Sequence, residues 1–208
     1  MESVTGVDEL VEMLTSEDAD TRVAALHYAG NLFGPGAIGP LFELLDSDDR
    51  TTFLAAQRAL GWIVHGNLRP RENEADKEAL RQATAEALTP YLDGNHSSRA
   101  AQEAMYLLSF CGGADEVPVI AEWLDDANMA QHALYALVRI PDEAALTAML
   151  DALDGADTSL SVELAHAIAQ KEGAAARDRL EALADSGDEE VATAAAKALS
   201  IREFRVDA

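Results

Sequence analysis

The chain has 208 residues, 38 of them acidic against 15 basic, giving a formal net charge of −23 and a sequence pI of about 4.3. A polyanion of this kind cannot supply the cations that phosphate backbones require, which excludes nucleic acid as a partner class. No segment approaches the ~18 uninterrupted apolar residues of a membrane span, and the opening MESVTGVDEL has neither a basic start nor a long apolar run, so a soluble cytoplasmic protein is expected.

Nearly half the residues are hydrophobic, only 5% are aromatic, and many are alanine, a balance that suits short close-packed helices and predicts no sheet. From the amino terminus, a first helix ends at Leu10-Val-Glu-Met-Leu14. An acidic turn, Ser16 to Asp20, leads into a second helix with the core Ala25-x-x-Tyr28-Ala29-Gly30, and Gly34-Pro35-Gly36 closes the unit. The same order returns with Leu41 to Leu45, the turn Asp46 to Asp49 and the core Ala56-x-x-Ala59-Leu60-Gly61. It continues through Leu88 to Leu92 before Ala101-x-x-Ala104-Met105-Tyr106, Ile120 to Leu124 before Ala133-x-x-Ala136-Leu137-Val138, and Met149 to Leu153 before Leu164-x-x-Ala167-Ile168-Ala169. Leu180 to Leu183 precedes the last core, Ala195-x-x-Ala198-Leu199-Ser200. Spacings of three and four put the apolar side chains of each helix on one face. Asp, Asn and Ser in the turns can cap the open amides of the second helices. Gly112-Gly113, Ile140-Pro141 and Gly173 break the chain between units.

The first residues of the six cores are 31, 45, 32, 31 and 31 positions apart. A fixed period of this length marks a solenoid, whose units bury their apolar faces only against their neighbours. One all-α domain over residues 1–208 is therefore expected, an α-α superhelix of about six helix pairs at 7–34, 35–66, 74–112, 113–140, 141–172 and 173–203. The one long spacing places an insertion at about 65–76, to be absorbed by an extended loop or an elongated first helix. Small residues at the first core position let stacked helices approach closely, Leu164 being the exception.

These units resemble HEAT repeats, particularly the short HEAT-like units of phycobilisome-lyase-type proteins. The resemblance rests on Leu14 through Asp20-Thr21-Arg22-x-x-Ala25-x-x-Tyr28-Ala29-Gly30 and on Val117-Pro118 through Leu124-Asp125, and it covers about residues 7–203. Arg22 is replaced in the later units by Phe53, Ser98, Ala130, Ser161 and Ala192, so no arginine ladder runs along the stack. The resemblance implies a fold and no single function, because such repeats serve scaffolds, adaptors, transport factors and some enzymes.

Catalytic signatures are absent from the sequence. HEAT-like iron-dependent hydroxylases carry paired His-Glu motifs, and none of the five histidines here is followed by glutamate. The chain has no His-Glu-x-x-His helix, phosphate loop or Gly-x-Ser-x-Gly elbow. The lone Cys111 reads as a buried, inert thiol. A non-enzyme is expected, with no metal and no cofactor; the alternatives are a bilin-lyase-like accessory enzyme and a structural module of a larger complex.

Binding is better supported. Counting from the first core residue, positions +2, +6 and −2 turn toward the side of the second helix that lines the concave surface of HEAT-like stacks. These three rows contain one acid among eighteen residues, in a chain where nearly one residue in five is acidic. Arg58, Trp62, Arg99, Glu103, Tyr135, Arg139 and His166 are the candidate contacts for a protein or peptide partner, including an acidic one. The competing reading has the arginines paired with nearby acids such as Glu103 and Trp62 filling space beneath the insertion. Trp123, Tyr28, Tyr91 and Phe42 read as packing residues.

With three lysines against twelve arginines and acids scattered through every unit, the composition resembles proteins of halophilic microorganisms. Self-repulsion among these carboxylates is screened by salt. Melting temperature should therefore rise strongly between dilute buffer and molar potassium chloride; a flat profile over that range would remove the halophile account.

Overall fold

The computed structural model describes residues 6–70, 73–171 and 173–206, the last five as backbone only. Residues 71 and 72 of the expected insertion, and residue 172 at the end of the fifth unit, lie outside the described set. Among the described residues there are twelve α-helices and no strand, as the sequence predicts. No helix among them is long and apolar enough to cross a membrane.

The helices fall into pairs divided between two compact units. Met1–Gly112 contains α1 (Val7–Leu14) with α2 (Ala19–Leu32), α3 (Ile38–Glu43) with α4 (Arg50–Asn67), and α5 (Glu74–Leu88) with α6 (Ser98–Cys111). Gly113–Ala208 contains α7 (Val117–Ala121) with α8 (Ala130–Arg139), α9 (Glu143–Ala152) with α10 (Thr158–Ile168), and α11 (Ala174–Ala184) with α12 (Glu189–Val206). Short 3-10 turns begin or finish the first helices of the second, third and fourth pairs. Within each unit the pairs form two layers. First helices pack on first helices, α1 on α3 on α5 and α7 on α9 on α11. Second helices pack on second helices, α2 on α4 on α6 and α8 on α10 on α12.

The alanine cores lie where these layers meet. Ala25, Ala56, Ala101, Ala133, Leu164 and Ala195 are all essentially inaccessible, as are Leu14, Leu41, Leu45, Leu88 and Leu180 from the first helices. Phe42 is buried and stacks on Tyr91 with ring centroids 3.8 Å apart, while Tyr28 and Trp123 are half-buried.

The turns cap the second helices largely as predicted. Asp18 accepts from the Thr21 amide at 2.9 Å, Asp49 from Thr52 at 2.9 Å, Asp157 from Leu160 at 2.8 Å and Asp188 from Glu190 at 3.0 Å. In the third pair Ser97 caps α6 instead of Asp93 or Asn95, and α8 has no side-chain cap. Arg22 donates to the carbonyls of Ser16 and Glu17 at 2.6 and 2.9 Å, which ties the first turn to α2. The turns also bond to one another. Ser97 donates to Asp46, and Thr158 donates to Asp188 at 2.6 Å.

The expected insertion is taken up mainly by helix. α4 continues to Asn67, a turn longer than α2 or α6, and the following first helix, α5, runs for 15 residues. The buried Asn67 amide donates to Thr84 of α5 at 3.1 Å, which joins the two lengthened helices.

Two glycines set the approach of α2 to α4. A Cβ on Gly66 would fall inside contact distance of the Gly30 carbonyl oxygen and 3.2 Å from its carbon. A Cβ on Gly30 would lie 3.0 Å from the Trp62 ring and from its carbonyl oxygen. Gly61, on the same helix, has no atom within 4 Å of its would-be Cβ. Replacing Gly66 with alanine should destabilise the protein by about 1–3 kcal/mol through overpacking against backbone. Gly61→Ala should stabilise it by up to ~1 kcal/mol through helix propensity. Denaturant midpoints of the two variants moving in the same direction would contradict this account of the α2–α4 contact.

Candidate functional site

The predicted rows are largely exposed on the second helices. Of the eighteen positions, only Glu103 and Leu107 are buried, and Leu54 and Val162 are half-buried. Leu107 thus belongs to the core and not to the open face. The cause is local. The exposed stripe of α6 runs through Arg99 and Tyr106, with Gln102 and Phe110 half-buried beside it, so +2 and +6 turn inward on this helix.

In Met1–Gly112 the face carries a hollow of about 550 Å³ between α4 and α6. Arg58, Trp62, His65 and Arg69 line it from the α4 side, with Gln57 and Gly61 beneath, and Glu103 and Tyr106 line it from α6. Arg58, Trp62 and His65 are four and three residues apart, one stripe of a helix that contains no Asp or Glu, and Arg69 follows in the turn just past the helix end. Trp62 is 41% exposed and Tyr106 43%. Their rings are set by edge contacts: His27 lies 5.8 Å from Trp62, and Phe110 lies 5.2 Å from Tyr106 and 4.8 Å from His65. Arg69 donates to Asn31 Oδ1 at 2.8 Å. Among the described residues no hydrogen bond or ion pair engages Arg58. Arg99 stands outside the hollow, its guanidinium 5.2 Å from the ring of Phe53, the residue that replaces the Arg22-type position in the second pair.

Glu103 forms the floor. It is only 6% exposed, and Oε2 accepts from Gln57 Nε2 at 2.7 Å. Burial raises its carboxyl above the ordinary value of 4.5, with the Gln57 hydrogen bond acting in the opposite direction. The capping carboxylates Asp18, Asp49 and Asp188 are shifted the other way, held below the usual aspartate value by hydrogen bonds from Thr21, Thr52 and Thr158 respectively. Burial therefore disfavours the charged form of Glu103, unlike the capping carboxylates.

In Gly113–Ala208 a second hollow, of about 290 Å³, opens between α8 and α10. Tyr135, Arg139, Gln131, Glu163 and His166 line it, so three of the candidate residues meet here. Arg139 lies over Tyr135, 5.3 Å from its ring centroid, and Gln131 donates to Glu163 at 3.2 Å across the two helices. Among the described residues no three His, Cys, Asp or Glu side chains converge as a metal-ligand set. The sequence reading missed His65, Arg69 and Tyr106. His65 continues the stripe of Arg58 and Trp62 by another turn of α4, and Arg69 follows in the turn past the helix end, both within the segment counted as insertion.

No protein-family model matches the sequence, and no curated protein does. Solved structures do match. An archaeal HEAT-like repeats protein from Thermococcus onnurineus NA1 aligns over 96% of this chain and 81% of its own, at 17% identity and a TM-score of 0.55. Human deoxyhypusine hydroxylase, in complex with glycerol, aligns over 95% of this chain and 84% of its own, at 19% identity and a TM-score of 0.51. The chain has a HEAT-like fold. At these identities the likeness is one of fold alone, and an enzyme and a repeat protein share it equally.

The floor carboxyl gives a pH signature. Below the ordinary glutamate range Glu103 is protonated in both folded and unfolded chains. As pH rises, the unfolded chain ionises first, so stability is lost until the raised folded value is passed. Glu103→Gln cannot titrate, so its melting temperature relative to the native sequence should climb from acid to neutral pH. A gap between the two that stays constant with pH would contradict the assignment.

Proposed function

We propose that the chain is a non-catalytic protein-interaction scaffold or adaptor, acting in the cytoplasm, whose second-helix faces hold segments of a partner protein. One observation carries this reading: α4 presents Arg58, a half-open Trp62 and His65 on a single stripe of an acid-free helix, with Arg69 just past its end, in a chain of net charge −23. Arginine beside aromatic rings is the composition of energetic centres in protein interfaces, where the guanidinium pairs with carboxylates and the rings supply apolar area. The Tyr135–Arg139–His166 hollow offers the same chemistry in the other unit. The carboxylates elsewhere on the surface are read as an adaptation to a salt-rich interior, in which weakly charged faces remain available for association.

The test is isolation of the tagged protein from its own cells at their native ionic strength. A protein should co-purify in stoichiometric amount. Arg58→Glu combined with Arg139→Glu should abolish that capture while leaving helicity and melting intact, since exposed positions contribute little to stability. Reversing Lys77, a half-buried cation of the first-helix layer paired with Glu74, should leave capture unchanged. Capture that survives the double reversal, or a stoichiometric metal or chromophore in place of a protein, would overturn the scaffold reading.

A further inference from the structure

The hollow between α4 and α6 is specific enough in shape and chemistry to define what it reads. Arg58 stands on α4 and Arg69 in the turn just past its end at Asn67, so their backbones are separated by at least the ~13 Å that the helix covers from Arg58 to Asn67 at ~1.5 Å per residue. A single carboxylate cannot meet both. An extended chain rises ~3.3 Å per residue with alternate side chains on one side, so same-side residues at i, i+2 and i+4 span ~13 Å. The long arms of arginine and of an acidic side chain cover the remainder.

Between the two cations the surface changes character. Trp62 on one wall and Tyr106 on the other are each more than two-fifths exposed, and their rings are fixed by edge contacts to His27 and Phe110. One apolar side chain entering between them would bury aromatic surface that the folded chain leaves in water. Glu103 lies at the floor, more than nine-tenths buried, with Oε2 bonded to Gln57 and no described residue donating to Oε1. A buried carboxyl oxygen calls for a partner. Ionised, it accepts a main-chain N–H; protonated, it donates to a main-chain carbonyl. Either way it engages the backbone of a bound segment.

We propose that this hollow binds an extended segment of a partner protein with the pattern acid-x-apolar-x-acid. The two carboxylates meet Arg58 and Arg69, the central side chain sits between Trp62 and Tyr106, and the segment's backbone bonds to Glu103. This deepens the scaffold reading and rests on it. Charge complementarity selects the occupant, because α4 contributes no carboxylate to the hollow and, among the described residues, none pairs with Arg58.

The test uses the full chain carrying Trp123→Phe, which leaves Trp62 as the sole tryptophan and its emission as a reporter of the hollow. The probes are acetyl-Glu-Ser-Phe-Ser-Glu-amide, the same peptide with both acids changed to glutamine, and acetyl-Ser-Ser-Phe with a free terminal carboxylate. The diacid should give a saturable change in Trp62 emission. The glutamine peptide should bind at least about tenfold more weakly, as expected for loss of charged hydrogen bonds. Arg58→Ala and Arg69→Ala should each weaken the diacid severalfold with circular dichroism unchanged. Should Trp123→Phe fail to fold, calorimetric titration of the native sequence against its Trp62→Ala variant reads the same contacts. Equal binding of the diacid and glutamine peptides, or no saturable binding at all, would overturn the proposal. So would tighter binding of the free-carboxylate tripeptide, which would make the hollow a reader of chain ends. If the peptide pattern fails while partner capture still depends on Arg58, the segment assignment is wrong and the scaffold stands; if neither depends on Arg58, both fall.

Discussion

Two helices can lie against each other only as closely as the atoms between them permit, and in this chain that limit is set by what occupies the inner face of each second helix. Alanine holds the first core position in five of the six, and all six residues there are essentially inaccessible. Between α2 and α4 the spacing falls further, to the point where Gly66 and Gly30 leave no room for a Cβ. With the inner face reduced to small residues, the larger side chains of the second helices must go elsewhere. Some pack sideways as core, as Leu60 and Ile63 do, and others stand on the open side, as Trp62 and Tyr135 do. The open aromatic face is thus a consequence of close stacking as well as a feature placed on it.

The charge follows the same division. Acids are most useful where helices begin, and the turns use them there: Asp18, Asp49, Asp157 and Asp188 cap the amides of the helices that follow, and Asp46 and Asp188 also take hydroxyl bonds from the turn of a neighbouring pair. For Asp18, Asp49 and Asp188 these hydrogen bonds favour the ionised form and hold the carboxyl below its ordinary value. Within the second helices, beyond the first turn, a carboxylate has no such role. α4 and α8 have none, and the acid that α6 does carry, Glu103, is buried against Gln57 with its charged form disfavoured.

The architecture was legible because the signals were redundant. Period, alanine cores, turn acids and glycine breaks all agree, and Leu164 in an alanine position did not disturb the pattern because its neighbour Ala167 keeps that face small. The site was legible only in part. Arg58, Trp62, Tyr135, Arg139 and His166 were reached by counting from the core residue, a count that holds as long as each second helix presents the same side. α6 is rotated relative to that rule, which moves Leu107 into the core, sinks Glu103 to the floor of the hollow and brings out Tyr106, a residue the motif places beside the core. His65 and Arg69 were hidden by a different step. Length that appears in sequence as an inserted segment extends α4 through His65 to Asn67 and lengthens the first helix α5, so the candidate surface runs on into residues counted as insertion.

Fold and function separate clearly at this point. The same arrangement of helix pairs serves a HEAT-like repeat protein and deoxyhypusine hydroxylase, and at 17% and 19% identity neither transfers its role to this chain. What remains is the chemistry of particular side chains, and Arg58 is the decisive one. Its neighbour in role, Arg69, is held by Asn31, Arg99 lies over Phe53 and Arg139 over Tyr135. A protein with more than twice as many acids as bases has ample means to neutralise one more guanidinium within its own fold. Arg58 lies within reach of solvent, beside a half-open indole, on a helix that supplies no carboxylate, and no described residue pairs with it, which is why the proposed interaction is built on this cation.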